Sequence, residues 1–374
     1  MTDHDNRPLP RAERIRQRAL NQPLSRAGLW VLSLLFRALV RLRLVLFRFH
    51  LLPRRRLPVP VISVGNLTAG GSGKTPLVIA LAEALTQRGY RVAVVSRGFG
   101  GRRSEDPAVV HDGARLRMAP AETGDEPVMI AEALTDIPIV VGRNRANAGQ
   151  LAIKHFSPNL ILLDDGFQHL RLARDVDILT FHGDVPPERH LLPLGLLREP
   201  WRSLRRAHAV VITSGRGRYA GELEMRIRRI APRIAVYHCA RRAASLREFS
   251  SGTQHPLSAL AGRRVFAFAG IAYPETFFAM LEELGGLLVH SMVFPDHYSY
   301  SPEDVTEVMS AAREADAALI TTAKDGVRLR GLTFEGFACL ILDMRCDFGA
   351  EADHLLHELT ARIDAAADEI PGYL

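Results

Sequence analysis

VISVGNLTAGGSGKTP, residues Val61 to Pro76, carries the pattern of a phosphate-binding loop between a strand and a helix. The apolar run at its start predicts a buried strand, and KTPLVIALAEALTQRG after the glycines predicts a helix. Such a loop commonly reads G-x-x-x-x-G-K-S/T, whereas Thr68 here occupies the first position. Threonine suits that position if its backbone needs no positive φ, so we expect a working loop rather than a chance glycine cluster.

The predicted loop offers several contacts to the phosphates of a nucleotide. Backbone N–H groups and the N-terminus of the following helix attract phosphate oxygens. A lysine at the position of Lys74 reaches the β- and γ-phosphates, and a hydroxyl at Thr75 is a ligand for Mg²⁺. The residues predicted to bind the nucleotide are Thr68, Ala69, Gly70, Gly71, Ser72, Gly73, Lys74 and Thr75.

A second feature, LILLDDGFQH, predicts an apolar strand that ends in Asp164 and Asp165. It resembles a Walker B element, whose carboxylate holds or orients hydrated Mg²⁺. The residues leave open which of the two acids contacts the metal, and adjacent acids also suit the cap of a turn. Ligands of open α/β sheets bind beyond the carboxyl ends of strands. Further polar residues near predicted strand ends are Arg97, Asp125, Glu126, Arg143, Arg145, Arg198 and Glu199.

Short apolar runs alternate with helical or loop segments after Pro58. This pattern predicts an α/β fold of the phosphate-loop NTPase type, with a mostly parallel sheet flanked by helices. A second set of runs follows an Arg-rich polar stretch and predicts a smaller α/β domain. The expected organisation is a poorly ordered basic N-terminus at 1–25, an amphipathic helix at 26–56, a nucleotide-binding domain at 57–230, a linker at 231–260 and a C-terminal domain at 261–374.

The composition describes a globular protein with an anionic partner. Of the 374 residues, 47% are hydrophobic and 24% are charged, which is enough apolar material for a proper core. The formal charge of +7 favours nucleic acid, a membrane surface or a phosphorylated substrate. Cys239, Cys339 and Cys346 show no C-x-x-C spacing, so they predict neither a zinc site nor a disulfide framework and fit a reducing cytoplasm.

The segment AGLWVLSLLFRALVRLRLVLFRFHLL, residues 27–52, predicts an amphipathic helix. Its arginines are costly at a bilayer centre, and its charged core does not fit a signal peptide. At about 100° per residue, Arg26, Arg37, Arg41 and Arg48 fall within a stripe of about 60°, with apolar groups over most of the remainder. Such a helix suits the membrane interface; a helix packed on its own domain with a solvated arginine row is the alternative.

Several motifs together resemble one family. They are PVPVISVGNLTAGGSGKTP, VVSRGFGGR, GDEP, VGRNR, LLDDGFQH, GLLREP, FAFAGIAYPETFF, FPDHYSY and TTAKDGVRL. The chain resembles the tetraacyldisaccharide 4′-kinase family from the N-terminal helix to near the C-terminus, and Thr68 is a feature of that family. The resemblance implies transfer of the γ-phosphate of ATP, with Mg²⁺, to the 4′-hydroxyl of a disaccharide 1-phosphate lipid. It also implies a peripheral protein at the cytoplasmic face of the bacterial inner membrane.

The resemblance also implies roles for individual residues. Asp125 matches the catalytic aspartate, which we expect to act as the base, and His297 of FPDH matches its partner. Ala272, Tyr273 and Ala323 depart from the family pattern, which concerns the C-terminal domain rather than the chemistry. The implied catalytic residues are Asp125, His297, Lys74 and Arg198; the implied metal-site residues are Thr75, Asp165 and Glu199; and Ser72, Arg145, Asp164, Asp165 and Gln168 line the nucleotide site.

Two other classes of function stay open from the residues. One is a soluble phosphate-loop kinase or GTPase that acts on a small metabolite, since T-A-K-D in TTAKDGV approaches a guanine-reading element. The other is a basic membrane- or nucleic-acid-binding module that uses ATP as a switch. The sequence carries no nucleic-acid-binding motif, so we expect no nucleic-acid partner, and no protein partner is evident.

Overall fold

The computed structural model describes residues 4–6, 23–102, 106–214 and 217–370. The chain divides into two compact units. The larger comprises Arg18–Arg241 and Cys346–Leu374, and the smaller comprises Met1–Gln17 and Arg242–Arg345. Both are α/β structures, as the alternation of apolar runs predicts.

The strands within the described residues are β1 (His4–Asn6), β2 (Val61–Gly65), β3 (Val92–Ser96), β4 (Ala108–Asp112), β5 (Pro138–Val141), β6 (Leu160–Asp164), β7 (Val176–His182), β8 (Ala209–Thr213), β9 (Ala235–Glu248), β10 (Gln254–His255), β11 (Arg264–Ala269), β12 (Leu287–Val293), β13 (Ala318–Thr322) and β14 (Cys339–Asp347). The α-helices are α1 (Pro23–Arg48), α2 (Lys74–Gln87), α3 (Pro120–Thr123), α4 (Asp125–Ala133), α5 (Arg145–Phe156), α6 (Ala220–Ile230), α7 (Pro274–Glu283), α8 (Pro302–Glu314), α9 (Ala323–Arg328) and α10 (Ala352–Asp368).

The sheet of the larger unit has the strand order β9-β8-β7-β2-β6-β3-β5-β4. Neighbouring strands are parallel except β4, which runs antiparallel to β5 at the edge. Strands β2, β3, β6, β7 and β8 are buried along their whole length, which explains why they form continuous apolar runs in the sequence. The carboxyl ends of β2, β6 and β3 meet at one edge, so the segments that follow them lie together.

The smaller unit contains a parallel arrangement of β1, β12, β11, β13 and β14 in that order. Its core includes Phe266 and Phe268 of β11 on one face and Phe277 of α7 on the other. The apolar runs predicted as strands in this part of the sequence are therefore confirmed.

The division between the units differs from the predicted domains. The sequence predicts a linker at 231–260, whereas β9 occupies much of that range. The predicted C-terminal domain extends to residue 374, yet α10 belongs to the larger unit. Tyr90 donates a hydrogen bond to Asp364 at 2.6 Å, and Tyr237 donates one to Glu358 at 2.6 Å. The apolar spacing of α10 predicts a buried face but not which sheet that face covers.

Helix α1 begins at Pro23 and ends at Arg48, which is shorter than the predicted 26–56. His50 adopts a φ of 57°, and the backbone N–H of Arg55 then bonds to the carbonyl of Arg171 at 2.8 Å. Among the helices within the described ranges, none has the length and apolar character that a membrane-crossing segment requires. The sequence predicts poor order for residues 1–25, and most of that segment lies outside the described residues.

Candidate functional site

The loop after β2 is a continuous connection from Gly65 to the start of α2 at Lys74. Thr68 forms an isolated antiparallel bridge with Leu197, and its φ is not positive. The next residue, Ala69, donates from its backbone N–H to the carbonyl of Leu196 at 2.7 Å. An L-residue therefore suits the first position of this loop, and the expectation about its backbone is confirmed.

The second half of the loop turns sharply and is tied to the neighbouring strands. Gly70 and Gly73 have φ values of 110° and 79°, which side chains rarely adopt. The hydroxyl of Ser72 lies 2.8 Å from the hydroxyl of Thr180 on β7. Thr213 on β8 donates to the carbonyl of Ser72 at 3.2 Å. These bonds tie the loop to β7 and β8 directly before the N-terminus of α2.

Two cationic side chains contact the carboxylate of Asp165 at the end of β6. The Nη1 atom of Arg198 donates to both of its carboxylate oxygens, at 3.0 and 2.8 Å. The Nζ atom of Lys74 lies 3.7 Å from Oδ1 of Asp165. Asp165 itself has a φ of 51°, which turns its side chain away from the strand path. The structure thus brings together the predicted lysine, arginine and acid of the site.

Asp164, the other acid of the pair, is buried close to two other carboxylates. It is 1% exposed, and Ser96 donates a hydrogen bond to its Oδ2 at 3.1 Å. Burial and the nearby carboxylates of Glu126 and Asp165 raise the pKa of Asp164 to about 7. For Asp165, burial alone would raise the pKa, but the charges of Lys74 and Arg198 outweigh it and leave the pKa below its ordinary value.

Arg145 adds a buried positive charge beside the acid pair. It is the first residue of α5 and is 4% exposed. Burial lowers the pKa of Arg145 to about 10, while the charges of Asp165 and Asp164 act in the opposite direction. The guanidinium is thus charged at neutral pH. A buried arginine with carboxylate neighbours is suited to phosphate recognition.

Gln168 connects the acid segment to the loop and to α1. Its amide donates to the carbonyl of Asn66 at 2.8 Å, and its own backbone carbonyl accepts from Arg43 of α1 at 2.5 Å. Glu199 is buried, and its carboxylate lies 3.0 Å from Nη1 of Arg206. The structure thus gives the predicted metal residue Glu199 a cationic partner, which the sequence did not indicate. Its role at a metal stays a prediction.

The turn before α4 carries Asp125 at the first helical position. Gly124 has a φ of 87°, and a Cβ there would lie 2.2 Å from the carbonyl oxygen of Phe99. A Cβ at Gly101 would likewise lie 2.4 Å from the carbonyl oxygen of Glu122. The glycine-rich segment after β3 therefore packs directly on the turn that presents Asp125. These glycines serve close backbone approach, a role that the sequence pattern did not specify.

His297 lies in the smaller unit, whereas Asp125 lies in the larger one. His297 has a φ of 61°, its Nδ1 lies 3.3 Å from Nη2 of Arg328, and its Nε2 lies 3.4 Å from Nζ of Lys324. Lys324 also forms an ion pair with Asp296 at 2.9 Å. The histidine is thus embedded in a charged group of its own unit, and its predicted partnership with Asp125 stays a prediction.

The oxygen groups near the loop fit a magnesium ion that is held mainly by phosphates and water. Oδ1 of Asp164 is buried without a hydrogen-bond partner, and its carboxylate neighbours disfavour its charge. A divalent cation relieves both conditions, and Mg²⁺ prefers such hard oxygen ligands. No group of three or more histidine, cysteine or acidic side chains is arranged for a metal within the described residues. One or two carboxylates with substrate phosphates is the usual magnesium arrangement.

The strand order, the loop and the acid pair define a phosphate-loop nucleotide-binding protein of the α/β class. Comparison with known proteins then gives the family. A family model described as tetraacyldisaccharide-1-P 4'-kinase (LpxK) matches residues 25–364. The chain belongs to this family, which confirms the resemblance noted in the sequence.

Individual relatives agree with this assignment. The tetraacyldisaccharide 4'-kinase of Geobacter metallireducens is 44% identical over 305 residues, which cover 81% of this chain and 88% of the relative. That of Pelobacter propionicus is 42% identical over 311 residues, covering 81% and 83%. A crystal structure of LpxK from Aquifex aeolicus in complex with ATP matches with a TM-score of 0.71 and 31% identity, covering 90% of this chain and 99% of that one.

Proposed function

We propose that the protein transfers the γ-phosphate of ATP to the 4′-hydroxyl of a tetraacyldisaccharide 1-phosphate, a step in lipid A biosynthesis. The observation that carries the proposal is the contact of Lys74 and Arg198 with the same carboxylate, Asp165, beside the phosphate loop. This contact places two cations at the part of the loop that receives the β- and γ-phosphates of a nucleotide. Family membership supplies the identity of the acceptor.

In this reaction Asp125 accepts the proton of the 4′-hydroxyl. The bond from the sugar oxygen to the γ-phosphorus forms while the bond from that phosphorus to the β–γ bridging oxygen breaks, and ADP leaves. Lys74 and Arg198 stabilise negative charge on the transferring group. Asp164 and Asp165, with Thr75, would hold Mg²⁺, which would neutralise charge on the phosphate oxygens. The role implied for His297 belongs to the same proposal.

The exposed surface of α1 supports an acceptor that resides in a membrane. The helix packs on its own unit through a narrow stripe that includes Phe36 and Phe47. The opposite face exposes large apolar side chains, which are Trp30, Val31, Leu32, Leu34, Leu35, Leu39, Leu42 and Val45. A contiguous exposed apolar face is costly in water and typical of interfacial helices.

The arginines border this apolar face. At about 100° per residue, Arg26, Arg37, Arg41 and Arg48 lie between the packed stripe and the apolar face. That position suits lipid phosphates at the headgroup level while the apolar face enters the acyl region. Both interpretations of the helix thus apply, because one stripe packs on the protein and another faces outward. We propose peripheral attachment at the cytoplasmic face of the inner membrane.

The position of Asp325, the acid that a guanine-reading element would use, does not favour the GTPase alternative. Asp325 of the T-A-K-D stretch is fully buried in the smaller unit. It accepts hydrogen bonds from the backbone N–H of Gly270 at 3.1 Å, from Tyr300 at 3.0 Å and from Thr322 at 2.7 Å. Its oxygens are occupied by the fold, so Asp325 is a structural acid at the start of α9.

The proposed activity is tested by incubating the full chain with γ-labelled ATP, Mg²⁺ and a tetraacyldisaccharide 1-phosphate, followed by chromatography of the lipid. Lys74→Ala serves as the matched control for a contaminating kinase. We expect label in the lipid with the native protein and at least about 100-fold less label with the variant. Label that appears only in inorganic phosphate would refute phosphate transfer to the lipid. A reaction with GTP in place of ATP tests which nucleotide the protein uses.

A further inference from the structure

Two threonines lie in the apolar strands beside the phosphate loop. Thr180 belongs to β7 and Thr213 belongs to β8, and both side chains are fully buried. Burial of a hydroxyl costs free energy unless the hydroxyl is hydrogen-bonded, and valine has nearly the same shape without that cost. The two hydroxyls therefore need partners, and each has one in Ser72 of the loop.

The two threonines hold Ser72 in different ways. Thr213 donates to the backbone carbonyl of Ser72 at 3.2 Å and shares its proton with the carbonyl of Phe181 at the same distance. Thr180 instead contacts the side chain of Ser72, with the two hydroxyl oxygens 2.8 Å apart. Of the two threonines, Thr180 is thus the one that governs the direction of the Ser72 hydroxyl, which lies in a residue only 4% exposed.

The number of protons on these hydroxyls limits what Ser72 can do. Thr180 lies 3.3 Å from the carbonyl oxygen of Gly65 and acts there as the donor, because a carbonyl carries no proton to give. A threonine hydroxyl has a single proton, so Thr180 must accept the proton of Ser72 while it donates to Gly65. Ser72 then presents only lone pairs, which repel the oxygens of a phosphate.

A rotation of the Thr180 hydroxyl removes this conflict. When its proton turns from Gly65 to the oxygen of Ser72, the proton of Ser72 is released for a phosphate oxygen. The rotation exchanges a long bond of 3.3 Å for donation across 2.8 Å, and Ser72 stays bonded to Thr180 in both arrangements. A donor behind Ser72 also makes its hydroxyl a stronger donor, because hydrogen bonds in a chain polarise one another.

We propose that Thr180 is a positioning residue for nucleotide binding, which holds the Ser72 hydroxyl and frees its proton for a phosphate of ATP. The inference rests on the proposed ATP-dependent function and extends it to a strand residue outside the loop motif. Thr180 acts through Ser72 rather than by contact with the nucleotide. Without Thr180 the buried oxygen of Ser72 has no donor and its hydroxyl is not held in one direction, so nucleotide affinity falls.

The test measures the Kd of Mg-ATP by calorimetry, without lipid. Thr180→Val removes the hydroxyl and keeps the shape, Thr180→Ser keeps the hydroxyl, and Ser72→Ala removes the group through which Thr180 acts. Loss of a hydrogen bond to a charged group weakens binding by about 10- to 100-fold, which we expect for Ser72→Ala. We expect binding that is about 5- to 10-fold weaker in Thr180→Val and within about twofold of native in Thr180→Ser.

A double variant and a control separate this role from a general loss of stability. The double variant Ser72→Ala, Thr180→Val should bind ATP within about twofold of Ser72→Ala, because the two residues act as one unit. The control is Thr321→Val in β13 of the smaller unit, where a fully buried hydroxyl donates to the carbonyl of Phe268 at 2.8 Å. We expect Thr321→Val to lower the unfolding temperature as Thr180→Val does, and to leave the affinity for ATP unchanged.

Three results would overturn the proposal. They are native ATP affinity in Thr180→Val, equal weakening in Thr180→Ser and Thr180→Val, and a double variant whose loss is the product of the two single losses. If Thr180→Val does not fold, Thr180→Ala takes its place with the same expectations. Because ATP binding is measured without lipid, a protein that shows the expected differences but never phosphorylates lipid would refute the proposed function and not the role of Thr180.

Discussion

Thr68 and Leu197 pair as an antiparallel bridge, which joins the entrance of the phosphate loop to the segment that carries Arg198. The backbone N–H of Arg198 also bonds to the carbonyl of Leu67 at 2.7 Å. The loop entrance and the arginine beside Asp165 are therefore parts of one backbone arrangement. A residue with an extended, ordinary backbone is needed at this position, which explains how threonine replaces the common glycine.

Restoring the common glycine should not improve the site. The native loop does not need a positive φ at position 68, so the added freedom of glycine in Thr68→Gly does not help the folded loop. The substitution does increase the entropy of the unfolded chain. We expect a loss of about 0.5–1 kcal/mol in the free energy of unfolding and an ATP Kd within about twofold of native. Thermal unfolding and calorimetry measure both. Gly70→Ala, at a φ of 110°, is the contrasting variant and should weaken ATP binding; equal behaviour of the two would contradict this description of the loop.

The raised pKa of Asp164 predicts a pH-dependent magnesium requirement. Its ordinary pKa of 3.8 is raised to about 7, so a proton competes with the metal below neutrality. We expect the Mg²⁺ concentration for half-maximal activity to rise by about tenfold between pH 8 and pH 6. Asp164→Asn should require more Mg²⁺ and lose most of this pH dependence. A native magnesium requirement that is flat across this range would contradict a metal role for Asp164.

The same shift affects stability without nucleotide or metal. Between about pH 4 and pH 7 the folded protein keeps a proton on Asp164 that the unfolded chain has lost. The folded state thus binds more protons, and the free energy of unfolding falls as pH rises through this window. Denaturant unfolding in EDTA at several pH values measures the slope. Asp164→Asn should flatten it, and an unchanged slope in that variant would assign the effect to other groups.

Asp125 is predicted to act in chemistry rather than in binding. Asp125→Asn keeps a hydrogen-bond acceptor for the backbone N–H of Glu126, which the native carboxylate accepts at 3.1 Å, but it cannot take a proton. We expect kcat to fall by at least about 100-fold while the ATP Kd stays within about twofold. Asp125→Ala should show the same loss of kcat, and the exposed acid Asp136 provides the control Asp136→Asn. Near-normal turnover in a folded Asp125 variant would remove the base from the mechanism.

The apolar face of α1 is predicted to hold the protein at lipid. Leu39 and Leu42 are 65% and 56% exposed, so replacing both with glutamate leaves the packed stripe intact. We expect the double variant to lose liposome flotation and to raise the apparent KM for lipid, with an unchanged unfolding temperature. Met225→Glu, at a residue 66% exposed on α6, is the control. Flotation equal to native would refute the anchor.

Point variants are preferable to removal of residues 1–52. Phe47 is 2% exposed, and the hydroxyl of Ser33 donates to the carbonyl of Leu191 at 3.0 Å. Truncation would therefore open the core of the larger unit as well as remove the apolar face. A loss of activity in the truncated chain would not separate these two effects.

The sequence predicts the elements of the site because local patterns specify them. The loop at 68–75 and the acids at the end of β6 follow from glycine spacing and from an apolar run that stops at two carboxylates. The parallel sheet then requires these segments to meet at one edge. The contact of Lys74 with Asp165 is a consequence of that topology.

Contacts between distant segments were not predictable in the same way. The pairing of Glu199 with Arg206 depends on side-chain directions that no spacing encodes. The return of α10 to the larger unit depends on which sheet its buried face covers. An amphipathic pattern gives the existence of such a face but not its partner.

Phosphate transfer to the 4′-hydroxyl is tested by the position of the new phosphate in the lipid product. The protein is incubated with ATP, Mg²⁺ and a tetraacyldisaccharide 1-phosphate, and the purified lipid is analysed by phosphorus–proton correlation NMR. We expect a second phosphate monoester coupled to the proton at the 4′ carbon, and we expect it to be absent with Lys74→Ala. An unmodified lipid, or a phosphate at another position, would contradict it.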